Sequence, residues 1–198
     1  MANKAENALS FLLKQSKNNQ HTKLYKLLNS IDTIAINNQN EGKLYLFLIK
    51  TIVSQQLSTI AARTIWGRVE KVIDLNDEKD ITIDLLKSAG LSRTKSEYIL
   101  GILNNQKVKS YSKKTLKGYS VNELSEMLLK IKGIGPWTLG ITRMFYICDE
   151  DVWLDGDLGI NKAVNIFIPD IDINNIKEIY SPYRTYLSLY LWRGLDSL

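Results

Sequence analysis

Residues 129–138 read Leu129-Lys130-Ile131-Lys132-Gly133-Ile134-Gly135-Pro136-Trp137-Thr138, and they are, with the acidic segment downstream, the most informative part of the sequence. Apolar residues recur at helical spacing over residues 121–132, which predicts a helix that leads into it. The two glycines stop that helix, because glycine reaches backbone conformations that other residues resist. The proline suits the first turn of a second helix, predicted over residues 136–148, where its missing N–H costs nothing. The pattern therefore predicts a tight hairpin between two helices over residues 121–148.

The turn of this hairpin has the features of an anion site. Backbone N–H groups at Gly133 and Gly135, next to a helix N-terminus, form a nest for negative charge, and Lys130 and Lys132 flank it. A DNA backbone phosphate is such an anion, and contacts to it position a protein without reading the base sequence. An ordinary corner between two helices explains the same residues, so both interpretations stay open at this point.

A carboxylate follows about one helix downstream, in the segment Trp153-Leu154-Asp155-Gly156-Asp157-Leu158-Gly159. At that distance it can face the same ligand as the hairpin. A phosphate anchor combined with one acid indicates an enzyme that acts on a nucleotide inside DNA. Taken alone, Asp155 and Asp157 are equally well explained as helix caps or as solvated turn residues.

Composition describes an ordinary globular protein with a basic surface. The chain has 198 residues, 44% hydrophobic and 24% charged, with a formal net charge of +5 that favours an anionic partner. The lone cysteine, Cys148, excludes an internal disulfide and a four-cysteine iron–sulfur cluster. Neither a signal peptide nor an apolar run of membrane-spanning length is visible. We expect a monomer in the cytoplasm, associated with the nucleoid if the source is bacterial, with no membrane contact.

Helical periodicity runs through almost the whole chain, and no strand alternation, repeat or linker is visible. We therefore predict an all-α protein that folds as a single unit over residues 1–198. The predicted helices cover residues 5–16, 21–30, 44–73 with a polar break at 54–58, 83–89, 93–104, 121–132, 136–148, 158–167, 173–180 and 183–193. Ser58 and Ser92 are the expected N-caps of the helices that follow them.

Four ordered segments carry a family resemblance. They are Ile52-Val53-Ser54-Gln55-Gln56-Leu57-Ser58 with Ala61-Ala62; Ala89-Gly90-Leu91-Ser92 with Lys95; the hairpin with Asp157-Leu158-Gly159; and Pro182-Tyr183-Arg184 with Tyr190-Leu191-Trp192-Arg193. Together they resemble the helix–hairpin–helix DNA glycosylases, and within them DNA-3-methyladenine glycosylase II. The match covers roughly residues 44–197. It implies an all-α fold of two interleaved helical lobes, with a cleft between them and the hairpin at its mouth.

The resemblance also implies the catalytic and base-binding residues. Asp157 is the expected catalytic acid, because the family's acid begins the run into the next helix, and Asp155 is the alternative. A flipped, positively charged base needs aromatic faces. The candidates are Trp137, Trp153, Tyr183 and Trp192, and packing in the core is the alternative for each.

The same resemblance implies how the chain holds DNA. Gln55, Gln56 and Leu57 occupy the loop that the family uses to fill the gap left in the duplex, with Gln56 or Leu57 as the plug. A polar break in a long helix is the alternative. The hairpin is expected to contact the backbone through Lys132, Gly133, Gly135 and Thr138. Main-chain carbonyls near Leu129, Ile131 and Ile134 are expected to hold a monovalent cation, sodium or potassium, while catalysis needs no cofactor.

One residue of the hairpin bears on the mechanism. Relatives that cut the strand as lyases place a nucleophilic Lys where this chain has Trp137. We therefore expect a monofunctional base-excision repair enzyme that hydrolyses the N-glycosidic bond of a 3-methyladenine-like purine in damaged double-stranded DNA and leaves an abasic site. The alternatives are a bifunctional glycosylase/lyase for oxidised bases and a non-catalytic helix–hairpin–helix DNA-binding module. A helical scaffold without a DNA role explains the periodicity but not the four ordered segments.

Overall fold

Helices account for the regular secondary structure. The computed structural model describes residues 2–36 and 42–197, and these ranges contain no β-strand, which confirms the all-α prediction. A 3₁₀ turn at Glu78–Asp80 and a π-helical turn at Thr142–Ile147 accompany the α-helices. In chain order these helices are α1 (Ala2–Asn18), α2 (Thr22–Ser30), α3 (Leu44–Ser54), α4 (Thr59–Leu75), α5 (Ile83–Ser88), α6 (Arg93–Leu103), α7 (Gln106–Ser110), α8 (Lys113–Lys117), α9 (Val121–Leu128), α10 (Pro136–Ile141), α11 (Leu158–Phe167), α12 (Ile173–Tyr180) and α13 (Arg184–Asp196).

The chain divides into two compact units. The first combines both chain ends, Met1–Gln39 and Arg143–Leu198, and the second consists of Asn40–Thr142. In the first unit α11 packs against α13 and α1 packs against α2. His21 and Tyr180 form a buried hydrogen bond of 2.6 Å in this core, where burial raises the pKa of Tyr180 and lowers that of His21. This core holds α11, which begins directly after Asp157, and α13, which carries Trp192.

The second unit is built around α3. Apolar residues of α3 are almost completely shielded from solvent, among them Leu44, Leu48, Ile49, Ile52 and Val53. The helix packs against α4, α6, α7 and α10, and at its C-terminal end the Lys95 ammonium of α6 donates to the Val53 and Gln55 carbonyls. The loop that follows α3 therefore starts from a helix that is packed and hydrogen-bonded at its end.

Side-chain caps explain where several helices begin. The Ser58 and Ser92 hydroxyls accept hydrogen bonds from the backbone N–H groups of Ala61 and Lys95, which confirms both predicted N-caps. Ser120 and Glu123 form a reciprocal capping box at the start of α9, the first helix of the hairpin.

The structure shortens both hairpin helices. The first ends at Leu128 instead of residue 132, because the chain tightens into turns closed by Ile131 N–H to the Leu128 carbonyl (3.1 Å) and Ile134 N–H to the Ile131 carbonyl (3.0 Å). The prediction of one α-helix over residues 136–148 is also wrong. The α-helix gives way to the π-helical turn, where the Thr142 hydroxyl donates to the Thr138 carbonyl at 2.7 Å and competes with the backbone pattern.

The sequence prediction also missed three short elements, the 3₁₀ turn, α7 and α8. Each spans five residues or fewer, which is too short to show a helical repeat. The caps Asn105 and Ser112 mark the starts of α7 and α8, and they were the available local signal.

Candidate functional site

Asp157 is held in one place by two hydrogen bonds. It is the N-cap of α11, and its Oδ1 accepts from the Ile160 backbone N–H at 2.8 Å. The same oxygen accepts from the Trp192 indole N–H at 3.1 Å. The side chain is half-buried. The cap and the positioned acid, which the sequence presents as alternatives, are therefore the same residue.

Asp155 has different surroundings. Its carboxylate pairs with Lys177 at 2.5 Å, and its side chain is 74% exposed. An exposed ion pair fixes a side chain only weakly, because water competes for both charges. The geometry favours Asp157 over Asp155 as the acid that acts on a ligand.

Trp192 packs tightly around this acid. Its ring lies nearly parallel to that of Phe145, with an interplanar angle of 19° and centroids 6.3 Å apart. A Cβ atom on Gly159 would lie 3.1 Å from the Trp192 ring and 3.2 Å from Asp157 Oδ1. Only glycine at this position lets the indole approach the carboxylate without a shift of either side chain. Phe145 and Gly159 thus support the pair, and the sequence analysis assigned neither.

The loop before Asp157 is tied down by charged groups. Arg184 donates to both carboxylate oxygens of Asp151, at 2.6 and 2.8 Å, and Ser181 donates to Oδ2 at 2.9 Å. Burial alone would raise the pKa of Asp151, but these hydrogen bonds outweigh it and hold the pKa below its ordinary value. Arg143 pairs with Asp149 at 2.6 Å in the same loop. Asp157 therefore follows a segment that is held by ion pairs and hydrogen bonds.

The other aromatic candidates lie in different settings. Tyr183 packs edge-on against Phe11 and Tyr186, with centroids 5.2 and 6.0 Å apart, which gives it a packing role in the first unit. Trp153 is half-buried in the loop that leads to Asp157. Trp137 is half-buried on α10, in the second unit. Of the four candidates, the structure brings Trp192 into direct contact with the acid.

The two hairpin glycines differ. Gly133 has φ +90°, and a Cβ there would lie 2.5 Å from the Tyr98 ring, so no other residue fits without strain. Gly135, the N-cap of α10, has φ −101° and ψ −179°, an extended conformation open to any residue. The described residues leave at least 4 Å around a Cβ at Gly135. The prediction that both glycines meet a backbone requirement is therefore wrong for Gly135.

The hairpin and the loop after α3 are joined by Gln55. Its side-chain amide donates to the Gly133 carbonyl at 3.2 Å and to the Thr138 hydroxyl at 3.0 Å. Thr138 is 1% exposed, so the structure assigns its side chain to this internal bridge instead of a DNA contact. Lys132 is exposed beside the turn.

Two residues of the loop after α3 face outward. Gln56 is exposed and has φ +57°, a left-handed conformation that turns the chain sharply. Leu57 is 38% exposed, and Ile60, the second residue of α4, is 81% exposed. Gln55 is engaged inside the unit, so Gln56 and Leu57 are the two positions that present side chains to a ligand. Ile60 is an apolar neighbour that the sequence analysis missed.

The predicted cation ligands lie in the tightened turn. Leu129 is exposed, Ile131 half-buried and Ile134 buried, so only their carbonyl oxygens offer polar ligands. The Ile131 carbonyl accepts from Ile134 N–H and keeps a second lone pair. Elsewhere in residues 2–36 and 42–197, no group of three or more His, Cys, Asp or Glu side chains is arranged to hold a metal ion.

The positive charge is concentrated in one segment. Residues 98–122 contain five lysines, no arginine and no acidic residue, so this segment carries a charge equal to the formal net charge of the whole chain, +5. Lys107, Lys114 and Lys117 are exposed there, while Lys109 pairs with Glu78. The absence of acidic residues over these positions is visible in the sequence alone and is the signal that identifies this basic segment.

No protein-family model matches the chain, but individual known proteins do. A DNA-3-methyladenine glycosylase 1 of Schizosaccharomyces pombe is 28% identical over 168 residues, which span 74% of this chain and 70% of that protein.

Among the described helices, none has the length and apolar character that a membrane span requires.

Solved structures share the fold. The S. pombe 3-methyladenine DNA glycosylase in complex with abasic DNA matches with a TM-score of 0.83 and 23% identity, over 96% of this chain and 97% of that one. A DNA-3-methyladenine glycosidase of Bacillus halodurans matches with a TM-score of 0.71 and 26% identity, over 92% and 88% of the two chains. With its glycine hairpin and its capped acid, the chain has the helix–hairpin–helix DNA glycosylase fold and is similar in sequence to DNA-3-methyladenine glycosylases.

Proposed function

We propose that this protein is a base-excision repair glycosylase of the DNA-3-methyladenine glycosylase II type. It flips an alkylated purine out of duplex DNA and hydrolyses its N-glycosidic bond, leaving an abasic site. The observation that carries the proposal is the fixed carboxylate of Asp157, which the Ile160 N–H and the Trp192 indole hold at the start of α11. The names of the relatives support the same substrate class.

The chemistry needs one well-placed carboxylate. When the bond between C1′ and the base nitrogen breaks, its electron pair leaves with the base and positive charge develops on the sugar. A carboxylate beside the sugar stabilises this charge, and it can orient the attacking water and take its proton. An alkylated purine already carries positive charge, so it leaves without a separate general acid. Asp157 alone can therefore serve the reaction.

Trp137 supports hydrolysis without strand cleavage. A lyase needs an amine that attacks C1′ and forms a Schiff base. The indole of Trp137, at the hairpin position where lyases carry Lys, has no such nucleophile. Borohydride trapping separates the two reactions, because it captures a covalent protein–DNA adduct only from a lyase.

Damaged double-stranded DNA is the proposed partner. The hairpin offers backbone N–H groups at Gly133 and Gly135 with Lys132 beside them, and residues 98–122 add positive charge. We further propose a monomer in the cytoplasm and a sodium or potassium ion on the carbonyls of Leu129, Ile131 and Ile134. Carbonyl oxygens suit such ions.

The deciding experiment measures base release from a panel of duplexes that carry 3-methyladenine, 7-methylguanine, hypoxanthine or ethenoadenine. Asp157→Asn should bind duplex DNA normally and lose at least about a hundredfold in base release, since charge stabilisation of this kind is worth about 3–4 kcal/mol. Asparagine keeps an oxygen for the Ile160 N–H, so the cap and the fold should survive.

Asp155→Asn is the matched control and should keep most of the activity. If Asp155→Asn abolishes release and Asp157→Asn does not, the assignment of the acid is wrong. If the wild-type protein binds the duplexes and releases no base, the alternative of a non-catalytic DNA-binding module is correct.

A further inference from the structure

Lys95 holds the loop that presents Gln56 and Leu57. Its ammonium donates to the Val53 carbonyl at 2.9 Å and to the Gln55 carbonyl at 2.6 Å. These carbonyls belong to the last turn of α3 and to its C-cap, where a helix carries partial negative charge. Burial lowers the pKa of Lys95, but the two carbonyls compensate for the lost water. A charged side chain from another helix thus closes the end of α3.

The same helix also supports the hairpin. Tyr98 lies one turn after Lys95 on α6, and its ring fills the space beside the Gly133 backbone, within 2.5 Å of where a Cβ would be. Gln55 completes the connection, because its backbone carbonyl accepts from Lys95 and its side chain donates to Gly133 and Thr138. The loop and the hairpin turn therefore share one support.

This arrangement meets a physical need of base flipping. A side chain that enters the duplex must pay for unstacking and unpairing of the target base. A loop that is free to move spends binding free energy on its own ordering, whereas a loop that is already fixed does not. Gln56 holds a left-handed backbone conformation at the exposed end of this loop, and such a conformation persists only when its surroundings enforce it.

We propose that Lys95 and Gln55 are positioning residues that fix the wedge formed by Gln56 and Leu57 to the phosphate-binding hairpin. Phosphate anchoring and base flipping then act through a single rigid element. This inference rests on the proposed function. It assigns to Lys95 a role in opening the base pair, separate from the hydrolysis at Asp157.

The test compares two substrates that differ only in the cost of base flipping. One duplex carries the methylated purine that the lesion panel identifies, opposite its normal partner. In the other, the same purine lies opposite an abasic-site analogue and has no pair to break. Lys95→Met removes the ammonium and keeps an apolar chain of similar length. We expect it to reduce single-turnover base release from the paired duplex at least tenfold more than release from the unpaired one.

The ratio of the two rates is the informative quantity, because it does not depend on the fraction of folded protein. Lys87→Met, an exposed lysine on α5, is the matched control and should leave the ratio unchanged. Gln55→Leu should change the ratio in the same direction as Lys95→Met. The double variant should lose little more than the worse single variant if both residues support one element.

Three outcomes decide between the readings. A larger loss on the paired duplex supports the inference. Equal losses on both substrates, or no loss in Lys95→Met, overturn it and leave Lys95 as a structural residue. If the wild-type protein releases no base from either duplex, the proposed function itself fails, and this inference falls with it.

Discussion

Trp192→Phe separates two roles of this tryptophan, as a donor to Asp157 and as an aromatic face for a base. Phenylalanine keeps a ring that can stack with Phe145 and with a flipped base, but it cannot donate to Asp157 Oδ1. The substitution therefore removes one hydrogen bond and leaves most of the aromatic surface.

The size of the effect follows from the geometry. A hydrogen bond to a charged group contributes about 1.5–3 kcal/mol. The Nε1–Oδ1 distance of 3.1 Å is long, and Asp157 is half-buried, so water replaces part of the bond. We therefore expect this hydrogen bond to contribute about 1–2 kcal/mol. Its loss corresponds to a decrease of about 5–30-fold in the rate of the chemical step.

The assay is single-turnover base release, measured together with duplex binding and thermal stability. Trp192→Phe should slow release while duplex binding and the preference between lesions stay constant. Trp192→Ala should also change the preference, because it removes the stacking face, which is worth about 1–3 kcal/mol per base. Trp66→Phe, in α4 of the second unit, controls for a generic change of this type. Full activity of Trp192→Phe at unchanged melting temperature would refute the positioning role of the indole N–H.

Other contacts of the described residues can be tested by substitution or by exchange of ions. Gly133→Ala should destabilise the protein by about 1–3 kcal/mol and weaken binding to normal and damaged duplexes alike, whereas Gly135→Ala should leave the melting temperature unchanged and weaken DNA binding only; equal melting temperatures for both variants would contradict the difference between the two glycines. Gly159→Ala should push Trp192 from Asp157 and slow base release by roughly 2–13-fold, from about 0.5–1.5 kcal/mol, and unchanged release would show that the close packing is dispensable. Arg184→Gln should lower the free energy of unfolding by about 1.5–3 kcal/mol at neutral pH; because the pKa of Asp151 is depressed in the folded state, this contribution is present above the ordinary carboxyl pKa and disappears as pH falls below about 4, so a difference that persists in acid unfolding curves would argue against it. Replacing potassium and sodium with tetramethylammonium at constant ionic strength should weaken duplex binding if the turn near Leu129, Ile131 and Ile134 holds a cation, and identical affinities would exclude that site.

Local signals in the sequence predicted much of the fold. Serine caps, the glycines of the hairpin and apolar residues at helical spacing act over a few residues, so their meaning can be read without tertiary structure. Ser58 and Ser92 cap helices as predicted, and the hairpin lies where its glycines and proline indicate. The predicted ends of the two hairpin helices were wrong. The hydrogen bond of the Thr142 hydroxyl and the turns after Leu128 are decided by packing as well as by helix propensity.

The site itself depends on contacts between distant residues. Lys95 reaches carbonyls 42 and 40 positions earlier in the chain, and Trp192 reaches an acid 35 positions earlier. The family resemblance predicted roles for Asp157 and Trp192 separately. It did not predict the hydrogen bond between them, or the contacts of Lys95 with the loop after α3. Periodicity and capping describe how a segment folds on itself, whereas the direction in which a side chain donates is decided only when the core has packed the helices together.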